Sequence, residues 1–307
     1  MRIAIVGGTG LVGRHLVAEL LARGHEPVPI ARHAGPHRGR EVRVADVGSA
    51  PALEAALDGC EAAVSAFGSL RQPPGATYHD VHVKGVQNLV AACRARRIRR
   101  VVHLSALGAR AGSRSPYHRA KHSGEELLRR SLLDATVLRP SSIWGPADDF
   151  VVPLSRLLGR LPLAPMPGRG AARLQPIAAA DVARAIANAL ERPATIGLAW
   201  DLPGPEILRL DQIYDRVMDA AGLRRPKLPI PYLVIEALTH VFPIVPGFHF
   251  SFDQLAVLEE ERPGDPEPAA RDLSLSLSPF SPLAIRRALW PDPAPAPAEQ
   301  PPLAHHA

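Results

Sequence analysis

The sequence predicts an α/β fold: a Rossmann-type, doubly wound parallel sheet with a smaller C-terminal cap. In the first half, short apolar runs alternate with helical patterns, which is typical of βαβ units. A glycine-rich turn separates the first apolar run from the first helical pattern. After Pro140 the sequence pattern changes, because prolines recur throughout residues 146–168. We expect helices on both faces of the sheet and the cap at its carboxyl edge.

The individual elements of the first half follow from apolar spacing. Strands are predicted where short apolar runs occur: 2–6, 26–31, 41–45, 61–66, 100–105 and 134–139. Helices are predicted where apolar residues recur every three or four positions: 11–23, 51–58, 80–97 and 117–131.

The second half of the sequence predicts elements that rejoin the sheet, followed by elements of the cap. A helix is predicted from Asp181 to Glu191 with Asp181 as its N-cap. The other elements are a strand over 197–202, helices over 210–222, 231–241 and 252–260, and a loop over 262–271. We expect residues 1–145 to form the Rossmann domain, 174–202 to return to it, and 146–173 and 203–290 to form the substrate or cap region. The Pro- and Ala-rich end, 291–307, is predicted to be disordered.

Composition excludes several functional classes. The 307-residue chain is long enough for one large domain or two smaller ones. Its net charge of +6 comes almost wholly from arginine, and the basic residues are scattered apart from one cluster within 94–100. Nucleic acid is therefore not an expected partner. Cys60 and Cys93 are too few for a disulfide framework, and the thirteen histidines show no ligand spacing, so no metal site is predicted.

The glycine-rich turn is the first candidate binding site. It comprises Gly7, Gly8, Thr9, Gly10, Leu11, Val12 and Gly13. Glycine lets backbone N–H groups approach a pyrophosphate, and the helix N-terminus adds partial positive charge at the same place. Because a strand precedes the turn and a helix follows it, the motif predicts a dinucleotide site.

The end of the second predicted strand indicates which dinucleotide is preferred. A carboxylate there would bind the ribose hydroxyls, but the sequence reads Ile30-Ala31-Arg32-His33. Arg14 and Arg32 could both face a 2′-phosphate, which favours NADP(H) over NAD(H). Asp46 has two interpretations: it bonds the adenine amino group, or it caps the next turn. The remaining residues expected at the cofactor are Ala66, Phe67, Lys121 and Pro140.

A candidate catalytic pair lies at the start of the fourth predicted helix. Tyr117 and Lys121 are four residues apart, which places both on one helix face. A neighbouring ammonium stabilises the phenolate and lowers its pKa, so that the tyrosine can exchange a proton with a carbonyl or alcohol oxygen. Ser105 is expected to hold that oxygen by a hydrogen bond, or else to satisfy local backbone groups. Ser113 and Ser115 are weaker alternatives.

Together these residues resemble the short-chain dehydrogenase/reductase superfamily in its extended or atypical branch. The glycine turn, Ser105, Tyr117 and Lys121 occur in the family's order. Further matching stretches are Leu138-Arg139-Pro140, Trp144-Gly145-Pro146 and Asp181-Val182-Ala183. The stretches 102–109, 115–117, 124–126, 145–150, 204–206 and 252–254 are similar to one subgroup, which contains the NAD(P)H-binding accessory subunit of respiratory complex I and its bacterial relatives. His82 stands where extended members often carry asparagine.

The resemblance implies NADP(H) held in a Rossmann domain of the epimerase/dehydratase type, and it leaves two functions open. One is an oxidoreductase in which Tyr117 handles the proton, Lys121 holds the nicotinamide ribose and Ser105 positions the substrate oxygen. The other is a non-catalytic cofactor-binding accessory or assembly factor linked to complex I or quinone metabolism. The expected partner is a small-molecule substrate or a quinone-like ligand, with a respiratory complex or a membrane surface as a further candidate.

The expected location is the cytoplasm. No charged and apolar leader precedes the first predicted strand, and no apolar run reaches the roughly 18 residues of a membrane span. The predicted helix 231–241 carries an apolar face, made of Tyr232, Leu233, Ile235, Leu238 and Val241. This face either packs against the cap, or receives an isoprenoid tail or lies at the inner face of the membrane.

Overall fold

The computed structural model describes residues 1–34, 36–37, 40–68, 70, 72, 75–232, 234 and 263–290. Its strands are β1 (Arg2–Val6), β2 (Glu26–Ala31), β3 (Pro36–His37), β4 (Arg40–Glu41), β5 (Arg43–Val44), β6 (Ala62–Ser65), β7 (Arg100–Leu104), β8 (Asp134–Pro140), β9 (Ile143–Trp144), β10 (Ala164–Pro167), β11 (Arg173–Leu174), β12 (Ile177–Ala178), β13 (Ala199–Leu202), β14 (Leu208–Arg209) and β15 (Lys227–Ile230). Its α-helices are α1 (Leu11–Ala22), α2 (Ala50–Ala56), α3 (Gly85–Ala95), α4 (Pro116–Arg129), α5 (Val151–Arg160), α6 (Ala179–Glu191), α7 (Leu210–Ala221), α8 (Glu267–Asp272) and α9 (Pro282–Leu289). A π-helical turn spans Asp80–Lys84, and a 3₁₀ turn spans Pro193–Thr195.

The central sheet has seven strands in the order β13-β8-β7-β6-β1-β2-β5. Every pairing in it is parallel. The chain therefore runs outward in one direction from β1 to β5 and in the other from β6 to β13, so the strand order reverses between β1 and β6. Ligands of such sheets bind at this switch point, outside the carboxyl ends of the strands. The predicted α/β, Rossmann-type fold is confirmed.

Helices cover both faces of this sheet, because its strands are apolar on both sides. On one face α1 packs against α6 over side chains such as Ile5, Val64 and Leu104. On the other face α2, α3 and α4 cover Ala4, Ala63 and Val101. On this second face, Ser65 of β6 and His103 of β7 lie close to the carboxyl ends of their strands.

A separate apolar cluster is formed by residues between 144 and 288. It includes Trp144, Tyr214 and Phe280, which are almost fully buried. Residues 263–290 connect this cluster to the sheet: Leu273 packs with the sheet core, and Ile285 of α9 packs in the second cluster.

Several local predictions were wrong. Asp181 does not cap α6, because Ala178 is the N-cap and Asp181 lies inside the first turn, fully buried. Its carboxylate instead accepts hydrogen bonds from Arg184 and from the backbone N–H of Ser278. The loop predicted over 262–271 contains the start of α8.

Two further elements differ from their predicted form. The third strand is broken into β4, which pairs with β3, and β5, which pairs with β2. The helix predicted over 80–97 begins with the π-helical turn before α3. The predicted helices 231–241 and 252–260, the apolar face with Leu233, Ile235, Leu238 and Val241, the 252–254 stretch and the tail 291–307 lie outside the described residues, apart from 231, 232 and 234.

Candidate functional site

The glycine turn between β1 and α1 is closed by backbone contacts at the switch point. The N–H groups of Gly7 and Gly8 donate to the carbonyl of Ile30, at 2.9 and 3.1 Å. Gly7 has a φ of +92°, in the region that favours glycine. A Cβ on Gly13 would lie 2.3 Å from the carbonyl oxygen of Gly7, so a side chain there would collide with the turn. The turn therefore requires glycine for its own geometry.

This turn leaves the N-terminus of α1 open to an anion. Gly10 is the N-cap and has no side chain to accept a hydrogen bond, and Thr9 and Gly10 are exposed. The first N–H groups of a helix have no partner within the helix, and its dipole favours negative charge there. The backbone present at 7–13 thus fits a pyrophosphate group.

Residues 66–68 connect the glycine turn to the catalytic candidates. A Cβ on Gly7 would lie 2.7 Å from the backbone of Ala66 and 2.8 Å from the nitrogen of Phe67. A Cβ on Gly68 would lie 3.3 Å from Nζ of Lys121. The structure therefore brings the turn, Ala66, Phe67 and Lys121 together at one edge of the sheet.

Other cofactor candidates flank this edge. Arg32 and Asp46 are exposed just beyond the ends of β2 and β5. Asp46 accepts a hydrogen bond from the N–H of Gly48 at 2.6 Å, so it does form the local turn, and its bond to adenine stays a prediction. Arg14 donates to the carbonyl of Pro146 at 3.2 Å. Pro140 ends β8, where its carbonyl accepts a hydrogen bond from the N–H of Leu107 at 2.8 Å.

Tyr117 and Lys121 lie on one face of α4, as their spacing predicts. The helix starts beside them because Ser115 is the N-cap and Pro116 occupies the first helical position. Nζ of Lys121 donates to the carbonyl of Leu104 at 2.9 Å and lies 5.9 Å from the centre of the Tyr117 ring. The hydrogen bond fixes the ammonium at the end of β7.

Burial changes the proton affinity of both groups. It raises the pKa of Tyr117 above its ordinary value of about 10, although part of the side chain is exposed. Burial lowers the pKa of Lys121 to about 8, against a smaller opposing effect of the Glu125 carboxylate. Only 4% of Lys121 is exposed. Below pH 8 it is therefore a buried cation next to a phenol that resists ionisation.

Ser105 has a hydroxyl suited to hold an external oxygen. The backbone N–H of Ser105 donates to the carbonyl of Leu138 at 2.8 Å, which places the residue just beyond β7. Among the described residues, its buried hydroxyl has no hydrogen-bond partner, and such groups call for an explanation. By contrast, Ser115 accepts from the N–H of His118, and Ser113 accepts from the N–H of Ser115. The two alternative serines are thus engaged in starting α4.

Histidines on neighbouring elements also lie near this edge of the sheet. His82, in the π-helical turn, presents its ring to the Tyr117 ring with centroids 5.3 Å apart. His103, on β7, lies with Nδ1 2.9 Å from Oγ of Ser65 on β6. Sequence reasoning did not single out His103 or Ser65. The sequence does contain a signal for His103: it is two residues before Ser105, and this period-two spacing places both on the face that α4 covers.

Comparison with known proteins gives a consistent result. The family model described as NAD(P)H-binding matches residues 7–193. The chain is 27% identical over 238 residues to the mitochondrial NADH dehydrogenase [ubiquinone] 1 alpha subcomplex subunit 9 of Dictyostelium discoideum, covering 74% of this chain and 65% of that protein. It is 32% identical over 169 residues to a ceramide reductase of Caulobacter vibrioides, covering 53% of each. The chain thus spans less than two thirds of either relative.

The fold agrees with solved structures as well. A UDP-glucuronic acid 4-epimerase from Bacillus cereus, in complex with UDP-glucuronic acid and NAD, superposes with a TM-score of 0.73. The identity is 19%, and the alignment covers 94% of this chain and 98% of that one. The expected resemblance to the subgroup of the complex I NAD(P)H-binding accessory subunit is confirmed by the family match and the relatives, and this solved structure shows the likeness of the fold. No helix among the described residues is long and apolar enough to cross a membrane.

Proposed function

The chain belongs to the NAD(P)H-binding family, and we propose that it is an NADP(H)-dependent oxidoreductase acting on a carbonyl or alcohol. The observation that carries the proposal is the position of the Tyr117–Lys121 pair: residues 66–68 run from the glycine turn to Lys121. A site that only binds a nucleotide does not require a half-buried phenol beside a buried amine at that place. Buried titratable groups with shifted pKa values are typical of catalytic sites.

Different residues at the carboxyl edge of the sheet bind different parts of the cofactor. The N–H groups of the first turn of α1, which begins at Leu11, hold the pyrophosphate, and Ala66, Phe67 and Pro140 line the remainder of the dinucleotide site. The nicotinamide, when bound, supplies or accepts a hydride at its C4 carbon. Lys121 holds the adjoining ribose while its bond to Leu104 keeps the ammonium in place.

Tyr117 transfers the proton. In the reduction direction, its hydroxyl gives a proton to the substrate oxygen as the carbonyl carbon is reduced. Burial disfavours the resulting phenolate, and the positive charge of Lys121 offsets this effect by stabilising it. The hydroxyl of Ser105 donates a hydrogen bond to the same substrate oxygen and fixes its position. Oriented proton transfer of this kind typically contributes 10²–10⁴-fold to a rate.

The test of catalysis is a pair of tyrosine variants. Hydride exchange between NADPH and a panel of carbonyl, quinone and nucleotide-sugar compounds is measured in the parent, in Tyr117→Phe and in Tyr214→Phe. Tyr214 is a matched control, because it is also buried and has a raised pKa, but it donates to the carbonyl of Pro165 within the cap. Turnover lost only in Tyr117→Phe supports the proposal. Equal turnover in all three proteins contradicts the role of Tyr117.

We further propose that NADP(H) is preferred over NAD(H). Arg14 and Arg32 are the cations nearest in sequence to the turn and to the end of β2, and no carboxylate occurs at 30–33. An arginine bonded to a phosphate contributes about 1.5–3 kcal/mol. Arg32→Ala should therefore weaken NADPH binding by about ten- to a hundredfold and leave NADH binding unchanged, as measured by nucleotide fluorescence. Arg160→Ala, at the end of α5, is the control.

A second candidate function is a cofactor-loaded structural or assembly partner of a quinone-linked respiratory complex. The observation that favours it is the similarity to the Dictyostelium subunit. In this case the protein binds a quinone-like ligand or associates with the complex at the inner face of the membrane. Tight NADPH without turnover on any member of the panel, together with capture of complex I subunits, supports this candidate over the enzyme.

A further inference from the structure

The proposed mechanism requires a positive charge on Lys121, and the fold makes this charge costly. The side chain is only 4% exposed, and its Nζ donates to the uncharged carbonyl of Leu104 at 2.9 Å. Burial disfavours an ammonium, and it lowers the pKa of Lys121 to about 8. A carboxylate nearby is the kind of group that offsets this effect of burial.

Glu125 supplies such a carboxylate from the next turn of α4. It lies four residues after Lys121, so both side chains start from one face of the helix. Glu125 is buried, and its negative charge raises the pKa of Lys121 against the larger effect of burial. The two groups therefore act on each other in an interior from which water is largely excluded.

Arg139 fixes the position of this carboxylate. It lies on β8 two residues after Val137, which packs against the core that α4 covers, so Arg139 faces α4 as well. Nε of Arg139 donates to Oε1 of Glu125 at 2.9 Å, and Nη2 donates to Oε2 at 2.6 Å. A bidentate pair of this kind holds both oxygens of the carboxylate in one orientation.

The series of charges continues to the edge of the sheet. Asp201 of β13 is the direct neighbour of Arg139 in the strand pairing, and its Oδ1 lies 3.6 Å from Nη1 of Arg139. The charges thus alternate in sign from Lys121 through Glu125 and Arg139 to Asp201. Side-chain exposure rises along the series, from 7% for Glu125 to 31% for Arg139 and 48% for Asp201. Because solvent and salt screen the outer members most, Glu125 acts most strongly on Lys121.

We propose that Glu125, fixed by Arg139, is a positioning residue that keeps the Lys121 amine charged. The inference rests on the proposed function, because the charge matters for the phenolate of Tyr117 and for the ribose of the cofactor. Roughly nine tenths of an amine with a pKa of about 8 is protonated at pH 7. Without the carboxylate, burial acts on the amine alone, and a large part of Lys121 becomes neutral at the same pH.

The other described groups that face Lys121 do not supply a negative charge. The ring of Tyr117 lies 5.9 Å from Nζ and stays a neutral phenol, because burial raises its pKa. On β7, burial and then the charge of Lys121 lower the pKa of His103 to about 3, so it is neutral near pH 7. His82 approaches the amine from the π-helical turn, and an imidazole is neutral or positive. Among these described neighbours, Glu125 is thus the anion.

The first experiment measures the charge of Lys121 directly and needs neither substrate nor cofactor. The sequence contains three lysines, so NMR of the full chain with lysine labelled at Cε follows Lys121 beside Lys84 and Lys227. These two form ion pairs with aspartates elsewhere and serve as internal references for the fold.

The variants change the carboxylate at 125. In Glu125→Gln the titration midpoint of Lys121 should fall from about 8 by about one pH unit or more, because a nearby opposite charge typically shifts a pKa by about 1–3. Glu125→Asp keeps a carboxylate and should restore most of the parent midpoint. Glu126→Gln is the matched control, because Glu126 is the next residue but pairs with Arg129 at the surface, and it should leave the midpoint unchanged. A parent midpoint in Glu125→Gln overturns the inference.

Arg139→Gln tests the inference even where Glu125→Gln does not fold. Loss of the Arg139 cation leaves the Glu125 carboxylate next to Lys121 without its competing partner, so the Lys121 midpoint should rise. A role confined to packing does not produce opposite shifts in Glu125→Gln and Arg139→Gln. An unchanged or lower midpoint in Arg139→Gln overturns the inference.

The second experiment measures the pH dependence of NADPH turnover, from about pH 6 to 9, with a carbonyl substrate found in the panel. The parent rate should fall above pH 8 as Lys121 loses its proton, and the Glu125→Gln profile should move to lower pH by the shift of its NMR midpoint. Equal profiles in the two proteins overturn the role of Glu125 in the reaction. A parent without turnover overturns the proposed function, and the NMR midpoints then decide the inference about Glu125 by themselves.

Discussion

Replacing Gly13 with alanine tests the requirement for glycine at the start of α1. The added Cβ would lie 2.3 Å from the oxygen of Gly7 and 2.6 and 2.7 Å from the oxygen and carbon of Gly8. All three are backbone atoms, so none can rotate away as the end of a long side chain could. The glycine turn itself must shift.

The expected magnitude follows from two opposing effects. Overpacking of this kind costs typically about 1–3 kcal/mol, whereas alanine is favoured over glycine in a helix by about 1 kcal/mol. Gly13→Ala should therefore lower the free energy of unfolding by up to about 2 kcal/mol, or the Tm by up to roughly 3 °C for a chain of this size. Because these atoms belong to the turn that precedes the proposed pyrophosphate site, NADPH affinity should also fall, by about tenfold or more.

Gly159→Ala is the matched control. Gly159 lies in α5, and a Cβ there would meet nothing within 4 Å. This change should raise the free energy of unfolding by about 0.5–1 kcal/mol and leave NADPH affinity unchanged. Urea unfolding and nucleotide fluorescence measure both quantities. A Gly13→Ala protein as stable as Gly159→Ala, with parent affinity for NADPH, would refute the reasoning.

Three further predictions concern stability. Arg139 forms a bidentate ion pair with the buried Glu125, so Arg139→Met should lower the free energy of unfolding by about 2–3 kcal/mol. Adding Glu125→Leu should restore part of this loss, as measured by urea unfolding in a double-mutant cycle. Losses that simply add in the double variant would contradict this. The folded pKa of His103, about 3, lies below its ordinary 6.5, so the unfolded chain binds the extra proton and stability falls as pH drops from 6.5 towards 3. His103→Gln should reduce this slope by at most about 1.4 kcal/mol per pH unit in urea unfolding at pH 4.5–7, and an unchanged slope contradicts it. Leu132 is 85% exposed with a φ of +59°, so Leu132→Gly should raise the free energy of unfolding by about 1 kcal/mol, and a lower value counts against backbone strain there.

Much of the fold was predictable because its signals are local. The strand–turn–helix at 2–22 is indicated by a short apolar run, a glycine-rich turn and a helical pattern that follow one another directly, and alternation of apolar runs is enough to indicate a parallel sheet. Errors occurred where a residue's role depends on distant partners. Asp181 resembles an N-cap, but the backbone N–H of Ser278 draws its carboxylate into the interior.

The candidate site shows the same division. The sequence by itself determined that Tyr117 and Lys121 share a helix face, because a four-residue spacing on a helix has one geometric outcome. Only the tertiary structure decided that Ser105, rather than Ser115, has a hydroxyl to offer, and that Gly68 brings His82 to Lys121. These relations join residues far apart in the chain. They depend on which faces pack together and on how much water the packing removes, and neither quantity is encoded in local spacing.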